Sequence, residues 1–158
     1  MSPLPTRWRE RRPVLSLGYP PRMADSVRRV VEAAGACFNA RDFDGLDQYV
    51  HVGMVNHAAG PQGLEGWKQV WRSIIACFPD ALAETHAVIV DDELAAVHMS
   101  ITGTHHDSVM PLLIGIEPTR RVVSWEFIHV FRVVDGKILE HKAVRDDLGL
   151  LQQIEGDN

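Results

Sequence analysis

The sequence contains little cysteine and no long apolar run, and each absence excludes a class of protein. Its two cysteines, Cys37 and Cys77, lie on apolar helical stripes and are interpreted as small core residues rather than a disulfide framework. This usage is typical of a reducing compartment, so we expect a cytoplasmic protein. Because no apolar run approaches the length of a membrane span, no membrane partner is expected.

Excess positive charge is confined to the beginning of the chain. Residues 1–22 carry five Arg and one Glu, whereas residues 23–158 carry 11 basic and 20 acidic residues, a net charge of −9. An acidic domain disfavours nucleic acid as a partner.

The first 22 residues are rich in Pro and Arg and lack both an apolar period and the apolar core of a secretory signal. We interpret residues 1–22 as a disordered basic extension, or as an upstream extension of a protein whose natural start is Met23. An arm that reaches a partner is a further alternative. Residues 23–158 are predicted to form a single domain.

Helical periodicity characterises the first half of that domain. After a cap at Asp25, apolar residues recur at helical spacing and stop near Asn39. Asp42 is expected to cap a short second helix, and residues 50–57 are predicted as a short strand or extended segment. The clearest helical stripe ends at Pro79 and consists of Leu64, Trp67, Val70, Trp71, Ile74, Ile75 and Phe78.

Four long antiparallel strands are predicted after the helices, at residues 82–90, 94–104, 122–133 and 137–144, with a turn signal at Asp135-Gly136. Helices followed by strands predict an α+β class, with the helices packed on one face of a curved sheet. The apolar segment 105–120 is too long for a tight turn. It is predicted either to close over a pocket as a lid or to pack on the sheet or a second subunit.

The last two strands carry the candidate chemistry. Alternation places His129 in the middle of an apolar face of the first strand, which consists of Val123, Trp125, Phe127, His129, Phe131 and Val133. On the second strand, Leu139, His141 and Ala143 share one face. The register of the two strands therefore decides which side chains meet.

Two registers are possible for this hairpin. A two-residue loop sets Lys142 beside His129, whereas a three-residue loop with a left-handed glycine pairs Val133 with Lys137 and sets His141 opposite His129. We favour the three-residue loop, because it leaves Lys142 in water and buries the apolar residues of the second strand. The prediction is two imidazoles that face each other on an apolar surface.

Several segments of the chain resemble one known family. They are VNHAAGPQGLEGW, CFPD at a helix end, TGTHH at a strand end, EPTRRVVSWEFIHVFRVVDGKILEHK and DDLGLLQQI. Together with the order of elements, they make about residues 24 to 154 similar to the SnoaL-like polyketide cyclases of the nuclear transport factor 2-like superfamily. The resemblance implies a cone-shaped α+β fold with a deep pocket between helices and sheet, a homodimer, and no metal or organic cofactor.

What the resemblance implies about the reaction is broader. Members cyclise polyketide esters by aldol chemistry, and relatives of the same shape act as hydroxylases, epoxide hydrolases, isomerases, dehydratases or ligand binders. The fold alone does not choose among these activities.

The chain departs from the family's pattern at its last strand. Where the cyclases have a segment similar to Glu-His-Trp-Asp and use the Asp as acid and base, this chain ends the segment in Ala143, which cannot transfer a proton. His98 stands where many relatives carry Arg, and Ser100 where epoxide hydrolases carry Asp. Asp146 matches a second acidic position, but its context favours a helix cap.

The candidate catalytic residues are therefore imidazoles. His129 and His141 are predicted to act as general acid and base, with His98 as a third candidate on a polar strand face. The alternative is a set of core histidines that bind backbone carbonyls. Asn56 and His57 are predicted either to hold a carbonyl or enolate oxygen or to begin a loop. The expected pocket wall, or substrate-binding set, adds Trp71, Trp125, Phe127 and Tyr49.

No metal site is predicted, because the run His105-His106-Asp107 points consecutive side chains to opposite faces. The sequence thus predicts a cofactor-independent enzyme, a polyketide cyclase-like lyase or isomerase, that acts on an apolar carbonyl-bearing molecule by cyclisation, isomerisation or dehydration. Two alternatives remain: a non-catalytic domain that binds a small apolar ligand, and a structural dimer whose cavity is filled by its own side chains.

Overall fold

The computed structural model of the chain describes residues 21–58 and 60–156. The elements in chain order are α1 Pro21–Ala40, a 3₁₀ turn Gly45–Gln48, β1 Val50–Asn56, α2 Gly63–Cys77, β2 Leu82–Asp91, β3 Leu94–Thr104, β4 Val122–Val134, β5 Lys137–Arg145 and α3 Asp147–Glu155. Because α1 begins at Pro21, Asp25 lies inside the helix and the prediction that it is the cap is wrong. Nearly all of the predicted basic extension, residues 1–22, lies outside the described residues.

The strands form one mixed sheet in the order β1-β5-β4-β3-β2, so β1 and β2 are the outermost strands among the described residues. The pairs β2–β3, β3–β4 and β4–β5 are antiparallel, and β1 adds a fifth strand that runs parallel to β5. The predicted α+β class with helices on one face of a curved sheet is therefore confirmed. The parallel pairing of β1 places Asn56 directly beside His141.

Helices α1 and α2 cover one side of the sheet, which is called the inner face below. The predicted apolar stripe of β4 is buried there together with Trp67 and Trp71 of α2 and Val31 and Phe38 of α1. Burying each such side chain contributes roughly 1.5–3 kcal/mol. None of the described helices combines the length and apolar character needed to cross a membrane.

Helix α3 follows β5 and is hydrogen-bonded to β4. The side-chain amide of Gln153 in α3 donates to Ser124 O at 2.9 Å and accepts from Ser124 N at 2.8 Å. The helix begins as predicted, because the Asp146 carboxylate accepts a hydrogen bond from Gly149 N at 2.9 Å.

The turn between β4 and β5 differs from the favoured prediction. Val134 pairs with Lys137, so the loop has two residues, and Asp135 and Gly136 both have positive φ, 49° and 76°. This is the backbone of a type I′ turn, whose twist matches that of the flanking strands. The three-residue loop is therefore wrong.

A bulge in β5 nevertheless returns the histidines to one face. The register shifts after the pair of Val133 with Ile138, so that Phe131 lies opposite His141 and His129 lies opposite Ala143. The observed register differs from the predicted one by two residues, and side chains alternate with a period of two. The predicted face is thus correct although the predicted partner is wrong.

The segment between β3 and β4 packs on the domain. Leu113 and Met110 belong to the buried core, and the N–H groups of His106 and Asp107 donate to Cys77 O at the end of α2. His105 is fully buried, with Nε2 2.9 Å from Ser108 Oγ and Nδ1 3.2 Å from Thr119 Oγ1. Burial lowers the pKa of His105, so its ring is a neutral support for this segment.

Candidate active site

Two imidazoles of neighbouring strands, His129 of β4 and His141 of β5, form what is called the histidine pair below. Nδ1 of His129 lies 2.8 Å from Nε2 of His141, and the ring centroids are 5.1 Å apart. One of these two nitrogens donates and the other accepts, so a single proton lies between the rings.

Asn56 determines which nitrogen carries that proton. Its Nδ2 donates to Pro61 O at 3.2 Å, so its Oδ1 faces His141 Nδ1, at 3.1 Å. An amide oxygen only accepts, and His141 Nδ1 must therefore be the protonated nitrogen of a neutral ring. His141 Nε2 then accepts from His129 Nδ1.

This order leaves His129 Nε2 with a free lone pair. Among the described residues it has no hydrogen-bond partner, and His129 is only half-buried, whereas its neighbours Phe127 and Phe131 on the same face are buried. Nε2 of His129 is consequently the end of the chain Asn56–His141–His129 that remains able to accept a hydrogen bond.

Both rings are held neutral. Burial lowers the pKa of His129 to about 3, and the nearby charges of His141 and Arg145 act in the same direction. Burial also lowers the pKa of His141 to about 4, with a smaller effect of His57. At neutral pH the pair is therefore uncharged, as the hydrogen-bond order requires.

Aromatic rings hold the histidine pair in place. His129 lies between Phe127 and Phe131, with centroids 5.3 and 5.5 Å away and nearly parallel planes. Trp67 of α2 stacks on His141 at 5.3 Å. Of these, Phe127 was among the predicted substrate-binding residues, and Trp67 belongs to the predicted apolar stripe of α2.

The other predicted wall residues lie further away. Trp125 is buried and contacts Phe127 at 4.6 Å between centroids. Trp71 lies in the helical layer, against Phe38. Tyr49 borders a separate hollow of about 250 Å³ beside α1. Trp71 and Tyr49 are thus not brought to the histidine pair.

His57 points away from the inner face. Its Nε2 lies 2.9 Å from the Glu140 carboxylate, which also accepts from Arg132 at 3.0 Å. These contacts, His57 first, lower the pKa of Glu140. His57 therefore contributes its backbone, whose N–H donates to His141 O, rather than its ring.

His98 also lies outside the site. It is exposed on the outer face of β3, and its Nε2 lies 2.7 Å from Glu126 Oε2. The expectation that His98 lines the same cavity as His129 is wrong, because His98 lies on the side of β3 opposite to the inner face that α1 and α2 cover.

Arg145 is a site residue that the sequence prediction missed. It follows His141 and Ala143 on the inner face of β5, and its guanidinium lies 5.3 Å from the Trp125 ring centroid and donates to Asp147 at 3.0 Å. Trp125 Nε1 and Asp147 Oδ1 are buried with no hydrogen-bond partner among the described residues. Alternation along β5 was the signal that could have identified Arg145.

A second open hollow, of about 710 Å³, lies between the start of β4 and α3 and is bordered by Arg121 and Gln152. The histidine pair borders neither hollow. His129 is the less buried ring of the pair, and its Cα partner on β5 is the small residue Ala143.

Comparison with known proteins gives consistent matches. A family profile described as SnoaL-like polyketide cyclase matches residues 28–154. The chain is 27% identical over 125 residues to the nogalonic acid methyl ester cyclase of Streptomyces nogalater, and the alignment covers 75% of this chain and 90% of that protein. It is 28% identical over 139 residues to the aklanonic acid methyl ester cyclase DnrD of Streptomyces peucetius, and that alignment covers 82% of this chain and 88% of the relative. The crystal structure of wild-type IdmH of Streptomyces antibioticus, described as a candidate polyketide cyclase, matches with a TM-score of 0.73 and 27% identity over 82% of this chain and 99% of that one.

Proposed function

We propose that the chain, which belongs to the SnoaL-like polyketide cyclase family, is a cofactor-independent enzyme that cyclises a polyketide ester. Two relatives are named as methyl ester cyclases, and a methyl ester of a polyketide acid is the substrate class we infer. The observation that carries the proposal is the 2.8 Å contact of the histidine pair, which leaves an accessible base at His129 Nε2.

The proposed reaction needs no oxidant, because the proton that His129 removes is returned to the product. His129 Nε2 removes a proton from a carbon beside a carbonyl, the C–H electron pair forms a carbon–carbon double bond, and the carbonyl π pair moves onto the oxygen to give an enolate. The enolate carbon attacks a second carbonyl of the same molecule, and the new alkoxide recovers the proton from His129. The substrate is isomerised, and no atom is gained or lost.

The residues behind His129 stabilise the charge that this step creates. When Nε2 gains a proton, His129 Nδ1 donates more strongly to His141 Nε2, and His141 Nδ1 is already held by Asn56 Oδ1. Arg145, on the same inner face, balances the negative charge of the enolate. The chain of three side chains would thus replace the carboxylate that the cyclases carry at the position of Ala143.

Turnover measured with a polyketide methyl ester tests this function. His129→Ala and His141→Ala should each reduce kcat by about two or more orders of magnitude, the usual contribution of an acid or base group. His51→Ala is the matched control, because His51 is an exposed imidazole near the start of β1 whose ring accepts from Gly53 N and does not contact the histidine pair. Full activity of both variants would exclude the proposed chemistry.

A second candidate function is favoured by one observation. With a pKa of about 3, His129 is a weak base in the free protein, and no carboxylate faces it from Ala143. The same inner face would then serve a domain that binds an apolar ligand without changing it. Retained ligand affinity in His129→Ala, together with no turnover by the unmodified protein on any ester that it binds, would favour this function.

A further inference from the structure

Three side chains on the outer face of the sheet converge on one point, away from the histidine pair. They are His86 of β2, His98 of β3 and Glu126 of β4, and one ligand atom from each lies within 4.8 Å of the others. His98 Nε2 is 2.7 Å from Glu126 Oε2, and the two imidazole centroids are 4.9 Å apart.

A bulge in β2 brings the second imidazole into this cluster. The register of β2 against β3 shifts between Thr85 and Ala87, so His86 is the extra residue and has no Cα partner. A bulge redirects the side chain that it carries. As a result, His86 Nε2 reaches Ser100 Oγ at 2.8 Å on the outer face.

An exposed His–Glu contact is common, and the chain contains a second one for comparison. His57 and Glu140 are 2.9 Å apart, but the third member there is Arg132, a cation that donates to Glu140 at 3.0 Å. Such a cation already neutralises the carboxylate and would repel a metal ion.

In the cluster of β2, β3 and β4, the third member is instead an imidazole. Glu84 adds a further carboxylate 3.9 Å from His86 Nδ1. The donors are thus two imidazole nitrogens and one carboxylate, with a second carboxylate beside them. This set attracts a cation where the set around Glu140 does not.

We propose that His86, His98 and Glu126 bind a divalent transition-metal ion of the zinc class. Imidazole nitrogen and carboxylate oxygen are common zinc ligands, and three protein ligands leave a fourth position for water or Glu84. Bonds of about 2.0–2.2 Å place tetrahedral ligand atoms roughly 3.4 Å apart, so the cluster has to contract from its present span. All three side chains are exposed and can move by this amount.

Calorimetric titration of Zn²⁺ into full-length protein without a histidine tag tests the site. The unmodified chain should bind one Zn²⁺ saturably. Loss of a residue that only orients a metal ligand typically weakens metal affinity by about 10- to 100-fold. Loss of a ligand itself should cost at least as much in each of the variants His86→Ala, His98→Ala and the isosteric Glu126→Gln.

Two control variants separate this site from general histidine binding. His57→Ala removes the comparison pair and His51→Ala removes another exposed imidazole, and both should bind Zn²⁺ with unchanged affinity. Circular dichroism shows that each variant is folded. The absence of saturable binding to the unmodified protein, or equal affinities for Glu126→Gln and the two controls, would overturn the proposal. Because the readout is metal affinity, the result does not depend on whether the ester is a substrate.

Discussion

Replacing Ala143 by aspartate should raise the pKa of His129. Ala143 is the Cα partner of His129 across the β4–β5 ladder, and both side chains lie on the inner face. A carboxylate at this position favours the protonated imidazole, which burial now disfavours.

The size of the effect can be estimated from the geometry. Unit charges about 4 Å apart interact by about 4 kcal/mol at an effective dielectric constant of about 20, and about 1.4 kcal/mol corresponds to one pKa unit. Opposite charges at this range shift a pKa by about 1–3 units. From its present value of about 3, the pKa of His129 should therefore rise to about 4–6 in the Ala143→Asp variant.

NMR titration of the histidine ring protons measures this shift directly. Ala143→Asn is the control, because it has nearly the same shape and no charge. If the aspartate and asparagine variants titrate identically, residue 143 does not face the His129 ring and the proposed geometry of the site is wrong. A raised pKa would also make His129 a stronger base, so turnover should increase with it.

Three further predictions concern the same chain of side chains. Because folding lowers the pKa of His129 and His141 to about 3 and about 4, the contribution of these two rings to the free energy of unfolding should be constant above about pH 6.5. Below that pH it should fall by up to about 1.4 kcal/mol per pH unit and group. Urea titrations at neutral and acidic pH should show a smaller loss for His129→Gln, and an equal loss would refute the assignment. Asn56→Ala leaves His141 Nδ1–H unpaired and should cost about 1–3 kcal/mol of unfolding free energy, whereas an unchanged midpoint would show that the contact contributes nothing. Arg145→Gln should raise the pKa of His129 and the KM for an ester substrate, while Arg145→Lys should leave the pKa low; identical titrations of the two variants would exclude a charge effect.

Local sequence patterns were sufficient to predict the helices, the strands and the residues of the inner face. The contacts of His141 depend on long-range strand pairing. Alternation along β4 was sufficient to place His129 among aromatic residues, and Asp135-Gly136 was sufficient to predict a turn. The bulge in β5 has no glycine or proline signal, so the partner of His141 could not be predicted. The prediction that both histidines lie on the inner face is correct, because the error in register was two residues and side chains alternate with a period of two.

The two remaining differences, at Asn56 and at His98, have different origins. Asn56 reaches His141 only through the parallel pairing of β1 with β5, which joins residues 85 positions apart. The polar side of β3 was interpreted as a cavity wall around His98. In a sheet with helices on one face, a polar strand side is more simply the solvent side, and this argument was available from the sequence.

Nitrogen-15 NMR of the imidazole rings at neutral pH shows which ring nitrogens carry protons. The hydrogen-bond order from Asn56 through His141 to His129 predicts that His141 is protonated at Nδ1 and His129 at Nδ1, that both Nε2 atoms are unprotonated, and that neither ring gains a second proton above about pH 5. Protonation of His141 at Nε2, or titration of His129 near its ordinary pKa of about 6.5, would contradict it, because the accessible base at His129 Nε2 would then have no structural origin.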